Sequence, residues 1–326
     1  MVINKILKQL TPERVKKEVE AIQRVKLPPE LQKWVKEYEK VGERNEFIWK
    51  WAYEVAQVIT FSKIPSKYRR SLIGIKFLMI MFIVLLDDVS DKMKNKRLLN
   101  EILKVPFEKD HIKLQYINNK EKRYLKFTIK LWRFIEKTFR IYPYYLKFKP
   151  IINYDISQML NGIKYAYLVN KNLYLTNEIE FQTYLSHNTP AIMGFMIDLT
   201  CVPKFNIKLL GLMRKIMWYI QVMARISNWV ATWKREVKEN DFASGIFCYT
   251  IENKIIGARD IKKQKKEEIV KKINQSKAEK YLLEKWENFY NEIKKFIKKE
   301  KTFNGKKIIK ITEKLTILHL ISRGFI

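Results

Sequence analysis

Apolar residues recur three and four positions apart along almost the whole chain, the signature of helices with one buried face. Over 43–60 (ERNEFIWKWAYEVAQVIT), Phe47, Trp51, Val55 and Val58 fall on one such face. Pro28 and Pro29 stand where a helix begins, ahead of ELQKWVKEYEKV. A turn is expected over 62–70 (SKIPSKYRR), followed by the most apolar run of the chain, LIGIKFLMIMFIVLL, ending at Leu86. That run is shorter than the ~20 residues a bilayer requires, contains Lys76 and leads into two aspartates, so a buried core helix is expected. Residues 122–140 and 154–169 are predicted helical, separated by the Pro143 to Pro150 stretch. Between Glu178 and Val202, Pro190 and Gly194 interrupt the pattern and predict a break. A long helix is predicted over 205–238, amphipathic helix with a loop over 262–301, and a final helix in KITEKLTILHLIS. No fixed-period repeat, glycine-rich phosphate loop, strand alternation or clean linker is present. The expected architecture is one all-α domain over 1–326.

Composition sharpens this little. The 9 Gly and 9 Pro are too few for a loop-rich β fold. The formal net charge of +31 attracts any polyanion, whether nucleic acid, anionic membrane or diphosphate, although solvated lysine faces account for most of it. Two lone cysteines, Cys201 and Cys248, give neither a disulfide framework nor a zinc signature. With no apolar signal segment in the first twenty residues, a cytoplasmic protein is expected.

The chemistry concentrates in two places. Of only eight aspartates, three fall in LLDDVSDK: Asp87, Asp88 and Asp91. Negative charge at a helix C-terminus opposes the macrodipole, so stability alone does not put it there. Carboxylates at i and i+4 share a face and offer an oxygen-rich site to a hard cation such as Mg²⁺. The second place is NWVATWKRE, where Asn228, Thr232 and Glu236 share one helical stripe. An amide oxygen, a hydroxyl and a carboxylate together can chelate one divalent ion, and Arg235 adjoins them where it can meet a phosphate.

Taken together, these motifs resemble those of microbial-type class I terpene synthases. The family's DDxxD motif is matched by Asp87, Asp88 and Asp91. Its (N/D)Dxx(S/T)xx(K/R)E motif is matched by Asn228, Thr232, Arg235 and Glu236, with Trp229 in place of the non-ligating Asp. The resemblance implies a single-domain helical bundle with a central apolar cavity and three Mg²⁺ at its mouth. Asp87 and Asp91 would hold two ions; Asn228, Thr232 and Glu236 would hold the third; Asp88 would orient neighbours. It implies a carbon–oxygen lyase that ionises a linear isoprenyl diphosphate, farnesyl or geranylgeranyl by overall size, cyclises the carbocation and releases diphosphate. A monomer or homodimer without a transmembrane segment is expected.

Two departures stand out. The family's Arg diphosphate sensor is missing from Tyr184-Leu185-Ser186-His187-Asn188-Thr189, where Asn188 or His187 takes its place. Near the C-terminus only Ser322-Arg323-Gly324-Phe325 resembles the family's Arg-Tyr pair. Diphosphate would then fall to Arg235, with Lys234, Arg225, Arg323 and Asn188 as further candidates. Phe77, Phe82, Trp218 and Trp229 are candidate cavity walls, with Trp51 and Phe61 behind them, and for each plain core packing is the better reading. His319 either faces the cavity or packs. Two alternatives remain: a trans-prenyltransferase, disfavoured because a second aspartate-rich motif is absent, and a basic binder of nucleic acid or membrane. No nucleic-acid module is present, so nucleic acid is not an expected partner.

Overall fold

The computed structural model describes residues 1–61, 64–115, 117–259, 261–299 and 304–324. It is all-helical, with 76% of the chain in helix and no strand among the described residues. The α-helices are α1 Val2–Gln9, α2 Pro12–Gln23, α3 Pro29–Tyr38, α4 Glu46–Val58, α5 Ser66–Asp87, α6 Lys96–Ile102, α7 Asn119–Phe139 and α8 Tyr145–Lys171. They continue as α9 Glu178–Tyr184, α10 Ala191–Leu199, α11 Leu210–Glu239, α12 Gly245–Glu252, α13 Lys266–Gln275, α14 Ala278–Lys299 and α15 Gly305–Ile321. Among the described residues, no helix is long and apolar enough to cross a membrane. The helices group into two compact units. A middle unit comprises 22–163 and 193–206; a terminal unit comprises 1–21, 164–192 and 207–326.

The middle unit is built on α5, which is buried almost without interruption from Leu72 to Leu86. It packs against α4 and α7. Phe82 meets Trp132 with ring centres 4.8 Å apart, and Phe77 lies edge-on to Trp49 and Tyr53 at 6.4 Å. Helix α7 starts with a reciprocal cap: the Glu121 N–H donates to Asn118 Oδ1 and the Asn118 N–H to Glu121 Oε2, both at 2.9 Å. Lys76, a lone charge in the apolar run, is fully buried against Asp198 of α10 at 2.5 Å. Its ammonium also donates to Ile59 O at 3.0 Å and Thr60 Oγ1 at 3.1 Å, while the Phe61 N–H donates to Asp198 Oδ2 at 3.0 Å.

The terminal unit is organised around α11, which packs on α12, α13, α14 and α15. Trp286 donates its indole N–H to Thr316 Oγ1 at 3.1 Å, and Trp233 donates its own to Glu279 at 2.6 Å. Helix α1 docks on α14, with Ile3 and Ile6 buried and the Ile3 N–H donating to Glu287 at 2.9 Å. Asn240, at φ +54°, ends α11 in the left-handed conformation, and the Asp241 N–H satisfies the Glu236 carbonyl at 2.9 Å.

Three boundaries differ from the pattern reading. The turn over 62–70 is shorter, because α5 already begins at Ser66 behind Pro65; residues 62 and 63 lie outside the described ones. Helix α8 runs through Pro150 instead of starting after it. Phe148, Ile152, Ile156, Met159 and Ile163 form a continuous buried stripe across the proline, so packing outweighs the lost backbone bond. The 262–301 segment is two helices, α13 and α14, with Ser276 Oγ accepting from the Ala278 N–H at 3.1 Å; residue 301 is outside the described set.

Candidate functional site

In the middle unit the aspartate-rich motif forms where α5 changes pitch. Asp88–Lys92 is a π-helical turn, closed by the Met93 N–H donating to Asp88 O at 2.8 Å. Such single turns recur at functional sites. The widened turn is braced from outside: the Tyr124 hydroxyl donates to Leu85 O at 2.9 Å. Asp88 itself is buried and committed. Its Oδ1 accepts from Arg44 Nε at 2.8 Å and lies 2.7 Å from Arg44 Nη2, and its Oδ2 accepts from the Tyr38 hydroxyl at 3.1 Å. The Arg44 N–H in turn donates to Tyr38 Oη at 3.2 Å. Gly42 permits this wrap, because a Cβ there would lie 2.1 Å from Tyr38 Cζ. Asp87 and Asp91 flank this clamp and are only partly buried; Asp91 Oδ1 accepts from Ser90 Oγ at 2.5 Å. Beside the clamp is a cavity of about 260 Å³ walled by Arg44, Asp88, Lys92, Asn118, Lys120 and Tyr124, among others.

In the terminal unit, α11 carries a polar lane through an otherwise apolar interior. Gln221, Arg225, Asn228, Thr232 and Glu236 follow at spacings of four, three, four and four, one face of the helix. Gln221 Oε1 accepts from the Ile192 N–H at 3.1 Å at the start of α10. Arg225 donates to Asn228 Oδ1 at 3.1 Å and lies over the Trp229 ring, 5.4 Å from its centre. The Thr232 hydroxyl is 2.6 Å from Glu236 Oε1 and 2.8 Å from Asn228 O, two acceptors for one proton. Three lane atoms, Gln221 Nε2, Arg225 Nε and Glu236 Oε2, and the adjoining Trp229 Nε1 are buried with no partner among the described residues. The Leu185–Asn188 turn packs against α11, and within it Ser186 Oγ and Asn188 Oδ1 are equally unsatisfied. Buried polar atoms in a native interior normally have partners, so this cluster is a candidate ligand site.

The electrostatics agree with the burial. Burial first, and the Asp241 charge second, push the Glu236 carboxyl up to about 7. Burial and then the Arg225 charge push the His319 imidazole down to about 3, so His319 on α15 is a neutral ring.

The remaining sequence candidates are placed as follows. Arg235 pairs with Glu239 at 3.0 Å. Lys234 is exposed over the Trp233 ring, apart from the buried lane. Arg323 is tied to Val230 O at 2.7 Å and to Glu279 at 3.5 Å; Phe325 lies outside the described residues. Trp218 pairs with His187 at 5.1 Å, Trp51 is buried in α4, and Phe61 meets Phe195 edge-on at 5.4 Å. Phe77 and Phe82 are fully buried in the packing around α5. Trp229 lines a cavity of about 410 Å³ in the terminal unit, together with Phe181, Val222, Ile226, Tyr249 and Tyr281. No protein-family model, curated protein or solved structure matches this chain.

A divalent ion would be served here by mixed oxygen donors. Among the described residues, no three His, Cys, Asp or Glu side chains gather as a metal-binding group. The Asn–Thr–Glu set does fit one ion. Glu236 Oε2 is buried and unsatisfied, and the Thr232 proton has the Asn228 carbonyl as an alternative acceptor. That exchange would leave hydroxyl and carboxylate oxygens free to face a cation. Sequence reasoning missed Arg44 and Tyr38, whose link to Asp88 is purely tertiary. It also missed Gln221, which the four-residue spacing upstream of Arg225 would have revealed.

Proposed function

We propose that this protein is a Mg²⁺-dependent enzyme that ionises a linear isoprenyl diphosphate and cyclises the resulting carbocation, in the manner of a class I terpene synthase. One observation carries the reading: Glu236 Oε2 is buried without a hydrogen-bond partner among the described residues, on one helix face with the Thr232 hydroxyl, the partly buried Asn228 amide and the Arg225 guanidinium. A carboxylate with its pKa raised by burial and a guanidinium with an unsatisfied N–H suit a ligand that brings both a cation and an anion.

Bound Mg²⁺ would neutralise the departing diphosphate. In this reading Asn228, Thr232 and Glu236 would hold one ion; Asp87 and Asp91 are the residues that the resemblance assigns to the others. Asp88, clamped by Arg44 and Tyr38, sets the pitch of the turn that carries its two neighbours. Arg225 and Gln221 offer N–H groups to phosphate oxygens, and Asn228 loses its Arg225 bond as it turns to the ion. Trp229 presents an aromatic face of the kind that stabilises a cation by ~0.5–2 kcal/mol once water is excluded.

The test is incubation with geranyl, farnesyl and geranylgeranyl diphosphates plus Mg²⁺, following diphosphate release and hydrocarbon products by gas chromatography. Glu236→Gln is expected to reduce release at least about 100-fold and to weaken Mn²⁺ binding in calorimetry. A longer prenyl diphosphate formed on adding isopentenyl diphosphate would identify a prenyltransferase instead. Absence of diphosphate release from all three substrates would refute the proposal.

A further inference from the structure

The corner joining α7 to α8 holds apolar side chains out in solvent. Leu146 is 81% exposed, Ile141 68% and Tyr144 37%, and Pro143 between them is exposed as well. This corner is firmly anchored. Phe139, Tyr142, Tyr145 and Phe148 alternate with the exposed residues and turn inward. The Phe139 and Tyr145 rings stack at 5.6 Å, Tyr142 Oη is 2.8 Å from Ser71 Oγ, and the Tyr144 N–H donates to Thr200 O at 2.9 Å. With its neighbours pinned to the core, the outward set cannot collapse onto the protein. A contiguous apolar tip of this kind marks an interaction surface.

The tip is collared by positive charge. Lys137, Arg140, Lys147 and Lys149 are all exposed. The one carboxylate in this stretch, Glu136, is already met by Arg140 at 2.9 Å and Lys109 at 3.6 Å.

We propose that the α7–α8 corner seats the protein on a membrane surface containing anionic lipid. Ile141, Tyr144 and Leu146 enter the boundary between headgroups and acyl chains, and the four basic residues engage lipid phosphates and carboxylates. Apolar insertion and surface charge are the two components of such interfacial binding. The exposed leucine and isoleucine discriminate between polyanions, because a nucleic-acid backbone would draw on the basic collar and leave the apolar tip in water. The proposal is independent of the diphosphate reading.

The experiment is co-sedimentation of the full chain with vesicles of phosphatidylcholine alone and of phosphatidylcholine with phosphatidylserine, at low and moderate salt. The chain is expected to pellet with the mixed vesicles and to stay in solution with the neutral ones. Leu146→Ser with Ile141→Ser should weaken partitioning at least about tenfold, since both side chains leave the acyl boundary. Arg140→Gln and Lys147→Gln should each weaken it about fivefold. All four positions are exposed, and circular dichroism verifies that the variants fold. Three results would overturn the proposal: no binding to mixed vesicles, binding indifferent to the serine pair, or tighter binding to duplex DNA or RNA that the serine pair leaves unchanged.

Discussion

The buried Lys76–Asp198 pair allows a sharp test of what holds the middle unit together. Lys76→Met removes an ammonium that contacts Asp198 at 2.5 Å, Ile59 O at 3.0 Å and Thr60 Oγ1 at 3.1 Å. Asp198 is then left as a fully buried carboxylate with the Phe61 N–H as its remaining described donor. Stranding one member of a buried pair costs about 3–5 kcal/mol, roughly a fifth or more of a typical total of ~5–15 kcal/mol. Asp198→Leu strands the ammonium and should cost as much. The double variant, Lys76→Met with Asp198→Leu, strands no charge. It loses hydrogen bonds to the Phe61 N–H, the Ile59 carbonyl and Thr60 Oγ1, the last of which still donates to Ala56 O at 2.6 Å, at roughly 1–3 kcal/mol for each group left unsatisfied. Urea unfolding of all four proteins, followed by circular dichroism, gives the cycle. The double variant should be no less stable than either single one, a coupling of at least about 3 kcal/mol. Losses that simply add, within ~0.5 kcal/mol, would refute this account of the pair.

His319 should give the metal-free protein an acid-side weakness. Its folded value of about 3 lies below the ordinary ~6.5, so the unfolded chain takes the proton first. The stability it protects is complete above ~6.5 and drains away as pH falls toward 3, by slightly more than ~1 kcal/mol per pH unit. His319→Gln removes that slope. Glu236, raised to about 7, works in the opposite sense but is common to both proteins, so the difference between their urea midpoints from neutral to acid pH is the readout; parallel curves would refute it. Asp88→Asn and Arg44→Met should each cost about 2–3 kcal/mol, and together little more than either alone. Asp88→Asn should nonetheless leave Mg²⁺ affinity in calorimetry within about threefold of native, whereas a loss of ~10–100-fold would make Asp88 a ligand. Gly42→Ala should cost about 1–3 kcal/mol by driving a methyl group into the Tyr38 ring, and Tyr38→Leu should relieve most of that cost; an equal loss of urea midpoint on Gly42→Ala in the two backgrounds would deny the clash.

Legibility in the sequence followed the range of the interactions. Helix α5, the start of α3 at Pro29 and the break before α10 depend on spacing and on proline within one segment, and the sequence displays them. The stripe from Asn228 to Glu236 is likewise a matter of one helix's period. Pro150 misled because its cost is local, whereas the stripe from Phe148 to Ile163 that outweighs it draws its worth from packing. Lys76 was visible only as a blemish in an apolar run; Asp198, which explains it, comes from a different helix. The same holds for Asp88 and Arg44, 44 positions apart, and for the π turn, whose extra residue follows from the bracing around it.

Helix α1 has a consequence for how the molecule is made. The Ile3 N–H finds its acceptor at Glu287, 284 positions further along. During synthesis the opening helix must therefore wait, with Ile3 and Ile6 still in water, until α14 has left the ribosome. A helix made early is held in place only by sequence made much later.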